Sequence, residues 1–153
     1  MDDRAVVERQ IGRRPRAFRR VVVRCPYGKP AVTEQAPYDE NGEPFPTTYY
    51  LTCRYLVAAI SRLEAAGGVD RWSRAAAEDE ELRTSLERAQ AQQRRIRPDL
   101  DLGIGGARPG AAGIKCLHAH AAFALARPGY ELGERILAEV EPQWPADGCC
   151  TPD

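Results

Sequence analysis

Hydrophobic positions along the chain change period once, near residue 52. Before it, short apolar runs are cut by turn residues. Val21-Val22-Val23 is a β-branched run, and Arg24-Cys25-Pro26-Tyr27-Gly28 follows it. Pro26 and Gly28 mark a turn, and Ala31-Val32-Thr33-Glu34 reads as a return strand, so the two predict a hairpin. Pro37 ends the second strand. Asn41-Gly42 predicts a tight turn, since both residues tolerate positive φ. Phe45 to Thr52 is rich in aromatic and β-branched residues and predicts a third strand, with Pro46 at its start or on an edge.

After Thr52 the period becomes helical. Thr52 is the expected N-cap, with Leu56, Ala59, Ile60 and Leu63 on one face of a helix that Gly67-Gly68 ends. Asp70 is expected to cap a short helix containing Trp72. Asp79 is expected to cap a longer one that buries Leu82, Leu86, Ala89 and Ile96 and ends at Pro98. Residues 99–113 form a Gly-rich loop. Two more helices are predicted, from about Ile114 to Ala126 and from Leu132 to Val140. The order is strands first, then helices. That predicts an α+β fold: a small antiparallel sheet of about three strands followed by four or five helices packed on it. The expected organisation is a basic, flexible leader over residues 1–17, one domain over 18–141, and an irregular Cys-containing tail over 142–153.

Composition refines this picture. The chain has 153 residues, 43% of them hydrophobic and 29% charged, which suits a folded domain rather than a disordered chain. No apolar run is long enough to span a bilayer, and the Arg-studded start has no apolar signal region, so the expected location is cytoplasmic. The 22 basic residues balance 22 acidic ones, but unevenly. Residues 1–24 hold eight Arg against three acids, a local charge of +5. Such an arm is a candidate contact for a polyanion, with a solvated arm as the plainer reading. Only Lys29 and Lys115 are lysines, a bias that reflects composition more than arginine chemistry.

Four short strings have a joint pattern: Arg24-Cys25-Pro26-Tyr27-Gly28; Pro44-Phe45-Pro46-Thr47 running into Tyr50-Leu51-Thr52-Cys53; Gly103-Ile104-Gly105-Gly106; and Lys115-Cys116-Leu117-His118. In these strings the sequence resembles a bacterial family known as domain of unknown function 501, over roughly residues 19 to 140. The resemblance implies a small cytoplasmic bacterial protein. It brings no activity, cofactor or catalytic residue.

Candidate chemistry rests on five Cys and two His. Cys25, Cys53, Cys116 and His118, with His120 as the alternate, offer the thiolate and imidazole donors that Zn²⁺ prefers. If the helix begins after Cys116, then Cys116 and His118 converge at its N-terminus. If it already includes Cys116, His120 shares that residue's face instead. The competing reading is core packing: Ile114, Leu117, Ala121 and Leu125 form one apolar face, and Cys116, His120 and Phe123 another. A third reading makes Cys116 or Cys25 a nucleophile. Gly103, Gly105 and Gly106, with Arg108 and Lys115, form a candidate anion cradle, although the string matches no phosphate-binding motif. The expected function is a binding or scaffolding domain whose Cys/His site holds structural zinc, with enzymatic activity left open. The alternatives are a protein or enzyme that takes phosphate or polyphosphate ligands, and an adaptor for a protein partner with cysteines only in its core.

Overall fold

The computed structural model describes residues 2–110 and 113–152. Helix α1 (Asp3–Ile11) precedes the strands β1 (Phe18–Arg24), β2 (Pro30–Gln35) and β3 (Tyr49–Leu51). Helices α2 (Arg54–Ala65), α3 (Gly68–Glu78), α4 (Glu80–Ile96), α5 (Leu117–Ala126) and α6 (Glu131–Ala138) follow. The sheet is antiparallel in the order β1-β2-β3, so the fold is α+β as its pattern predicts. Among the described residues, no helix is long and apolar enough to cross a membrane.

The Cys25–Gly28 turn closes the β1–β2 hairpin, with the Cys25 amide donating to the Lys29 carbonyl at 2.9 Å. The Asn41-Gly42 turn also forms. Gly42 has φ +78°, and Asp39 Oδ1 accepts from the Asn41 and Glu43 amides. The central strand β2 is buried at every position, Pro30 to Gln35. Neighbouring strand residues point to opposite faces, so unbroken burial requires cover on both. α1 and α5 both pack against it.

Part of that cover comes from the Arg-rich start of the chain, where residues 3–11 are helical. Asp2 caps the first turn by accepting from the Arg4 amide, and Gly12 ends the helix in the left-handed region at φ +74°. The apolar pair Val6-Val7 is the reason it packs, since each is only 1% exposed. The arginines around it meet carboxylates: Arg4 and Arg14 reach Glu40, Arg16 reaches Asp39, and Arg24 reaches Asp3.

Thr52 is not the cap of α2. Cys53 holds that position without a side-chain cap bond, and Thr52 Oγ1 is buried with no hydrogen-bond partner. Asp79 does cap α4, accepting from the Glu81 and Leu82 amides. At the other end of α4, buried Arg97 donates to the Phe45 and Gln35 carbonyls and ties the helix to β2. Burial lowers the Arg97 pKa, with Arg19 adding to that and Glu34 opposing it.

α5 is the centre of the molecule. His120, Ala121, Ala122, Phe123 and Ala124 are all buried, and α5 touches α2, α6 and every strand. α6 approaches it at Gly133. A Cβ there would lie 2.6 Å from Ala124 Cβ, 2.8 Å from Tyr130 Cδ2 and 2.9 Å from the His120 carbonyl oxygen. Gly133→Ala should therefore lower stability by about 1–3 kcal/mol, even though alanine favours the helix. Urea unfolding checks this, and a raised midpoint would refute the close-approach account.

Candidate metal centre

Three side chains from two helices meet at the N-terminus of α5. α5 begins at Leu117, so Cys116 is its N-cap residue and His118 lies in its first turn. Glu64 comes from the last turn of α2. The ligand-capable atoms of Glu64, Cys116 and His118 all lie within 4.8 Å of one another, and the group could hold a metal ion. His118 Nδ1 is 3.7 Å from Cys116 Sγ and 3.4 Å from Glu64 Oε2.

Neighbouring groups orient each donor. His118 Nε2 lies 3.2 Å from the Val57 carbonyl and 3.0 Å from Ser61 Oγ. A carbonyl only accepts, so this contact places a proton on Nε2 and leaves the Nδ1 lone pair toward Glu64 and Cys116. Glu64 Oε2 accepts the Leu117 amide at 2.9 Å, an otherwise unpaired donor of the first helical turn. All three side chains are partly exposed. Cys116 and His118 also line a cavity of ≈ 280 Å³, shared with Tyr49, Tyr50 and Gly105.

The Cys116 hydrogen bond raises the His118 pKa above the usual histidine value. Burial opposes this, while the Val57 carbonyl and Glu64 reinforce it. His120 behaves oppositely. It is 2% exposed, and burial pushes its pKa down to about 4. Its Nδ1 is 2.8 Å from Tyr130 Oη, whose own pKa burial raises, so the phenol donates to a neutral ring. His120 belongs to the core.

The other sequence candidates lie apart. Cys25 and Cys53 are buried and sit near the chain's end, with Cys25 Sγ 3.8 Å from Cys149 Sγ. Three amides of the Gly103–Gly106 loop already have partners. Gly103 donates to the Ala107 carbonyl, Gly106 to the Gly103 carbonyl, and Ile104 to Gln90 Oε1. Arg108 lines a separate cavity with Arg83 and Arg94, and Lys115 is exposed. The loop reading also spans residues 111 and 112, which lie outside the described residues. Glu64 escaped the sequence reading because it is 53 positions from its partner Leu117 and ends an ordinary amphipathic helix.

The sequence model of one family, described as a protein of unknown function (DUF501), matches residues 21–102, just over half of the chain. The match takes in Cys25, Cys53 and Glu64 and ends before Cys116. No curated protein and no solved structure matches the chain.

The two histidines should titrate on opposite sides of the ordinary value of about 6.5. His118 is raised, so its contribution to stability is full below about pH 6.5 and is lost as pH rises through its folded pKa. His120 is lowered, so the stability that its neutral ring confers is present above about 6.5 and is lost as pH falls toward 4. Imidazole NMR titration in the presence of a chelator reads both. Coincident titration near 6.5 would contradict these environments.

Proposed function

The chain belongs to the DUF501 family, and from its own side chains we propose that it is a zinc-binding domain whose ion sits between Glu64, Cys116 and His118. The spacing of the donors carries this reading. A tetrahedral zinc with ordinary Zn–S, Zn–N and Zn–O bonds holds N and S about 3.6 Å apart and N and O about 3.3 Å apart. The corresponding distances here are 3.7 and 3.4 Å. The outer contacts support it as well. A ligating imidazole commonly donates its other N–H to a carbonyl, here that of Val57.

In this reading the metal ties the end of α2 to the start of α5. Glu64 and Cys116 supply negative charge, and His118 supplies a neutral nitrogen. Three protein ligands leave a fourth position for water or a small ligand, and the cavity beside Cys116 and His118 is where such a ligand would enter. Cys25 and Cys53 take no part. The anion-binding alternative has less behind it, because the Gly103, Ile104 and Gly106 amides already have partners.

Without metal, a proton on His118 Nδ1 takes the ion's place between Cys116 and Glu64. Zinc must displace that proton, so affinity should fall as pH drops below the raised His118 pKa. Protein purified under reducing conditions should hold one zinc per chain. Glu64→Gln, Cys116→Ser and His118→Gln should each weaken binding by about 100-fold or more, beyond the usual loss for an outer contact. Elemental analysis and chelator competition measure both quantities. Metal-free protein that takes up no added zinc would overturn the proposal.

A further inference from the structure

The remaining four thiols lie together where the tail crosses the sheet end. Cys25 lies in the β1–β2 turn, Cys53 precedes α2, and Cys149 and Cys150 are adjacent near the chain's end. Cys149 Sγ is 3.8 Å from Cys25 Sγ across a sequence separation of 124. Cys150 faces Cys53, whose pKa burial pushes up to about 11, with Cys150 contributing. Among the described residues, no three of these thiols converge as the ligands of one ion do. They meet in pairs.

The tail is held in place by contacts of its own. Gln10 Nε2 donates to Thr151 Oγ1 at 3.1 Å and to the Pro30 carbonyl at 2.8 Å, and Thr151 is 5% exposed. Tyr55 Oη donates to the Pro142 carbonyl at 2.8 Å. Tyr27 Oη donates to the Pro145 carbonyl.

We propose that Cys149 and Cys25 form a peroxide-reactive dithiol, with Cys149 as the attacking sulfur and Cys25 as the resolving one. Exposure assigns the roles. Cys149 is partly exposed and Cys25 is buried beneath it. The Thr151 amide also points at Cys149 Sγ, at 3.3 Å, and donates to the charge of a thiolate. Burial opposes ionisation of Cys149, but the Thr151 amide and hydroxyl, with the Cys25 and Cys150 thiols, leave its pKa below the usual thiol value. Cys53 is held in the opposite direction, which leaves Cys149 as the readier thiolate of the two.

The substrate is a hydroperoxide. The Cys149 thiolate attacks one oxygen of hydrogen peroxide, the O–O bond breaks, and Cys149 becomes a sulfenic acid as hydroxide leaves. The Cys25 thiol then loses its proton and attacks the Cys149 sulfur. Its S–O bond breaks and a second hydroxide leaves. The two hydroxides leave as water, taking up the protons released by the two thiols. Two thiols give up two electrons, and the peroxide that accepts them becomes two waters. The product disulfide fastens the tail to the β1–β2 turn.

The test uses the full chain, reduced, freed of reductant and treated with an equivalent of hydrogen peroxide. Non-reducing peptide mapping should find the Cys25 and Cys149 peptides linked in the wild type and in Cys150→Ser. Cys149→Ser should lose the link, and Cys25→Ser should accumulate sulfenic or sulfinic acid at Cys149. Absence of the link in Cys150→Ser would overturn the proposal. So would a Cys149–Cys150 bond in the wild type, or thiols that react only after a chelator is added, the mark of a metal–thiolate group. Zinc content reports on the Glu64 site separately, and Cys149→Ser should leave it unchanged.

Discussion

A helix with no polar side has to be enclosed, and α5 imposes that requirement on the whole chain. Its apolar residues face every direction, so one neighbouring layer cannot cover it. The sheet, α2 and α6 surround it, and Gly133 lets α6 come close enough to close one side. Tyr49, Phe123 and Tyr130 fill the gaps with edge-to-face ring contacts. The enclosure opens at the two ends of α5, and at its first turn His118 and Ala119 are partly exposed. There the unpaired amides and the polar residues of the Cys-Leu-His-Ala-His string meet Glu64. The polar cluster stands where the apolar constraint ends.

Charge is arranged by the same economy. The excess of arginine in residues 1–24 is spent largely within the molecule, on Glu34, Asp39, Glu40 and Asp3. Most of these pairs have exposed arginine ends, and each contributes little to stability in water. Their effect is on position: they hold α1 and the sheet edge against the Asp39–Gly42 turn. A charge of +5 counted along the sequence is therefore a poor measure of the field that a polyanion would meet.

The sequence announced features that depend on neighbours in the chain. The hairpin at Pro26 and Gly28, the turn at Asn41-Gly42 and the Asp79 cap are settled within four or five residues, and all are present. The start of α5 at Leu117 is the first of the two placements left open, the one after Cys116, and it sets His118 beside Cys116. Other features depend on distant partners and leave no periodic trace. Glu64 reads as one more exposed acid on an amphipathic helix, and Cys149-Cys150 reads as a loose end. The arginines around Val6-Val7 mask the pair's burial, because the cover it provides is needed by a strand that comes some 25 residues later.

α2 links the two groups of side chains that carry chemistry. Cys53 stands at its start and Glu64 in its last turn. Eleven residues of helix separate them by about 16 Å. While α2 stays wound, Cys53 and Glu64 keep that distance. The helix acts as a fixed spacer between the Cys53 end and the Glu64 end, so a change at one group of side chains has to pass through a rigid element to be felt at the other.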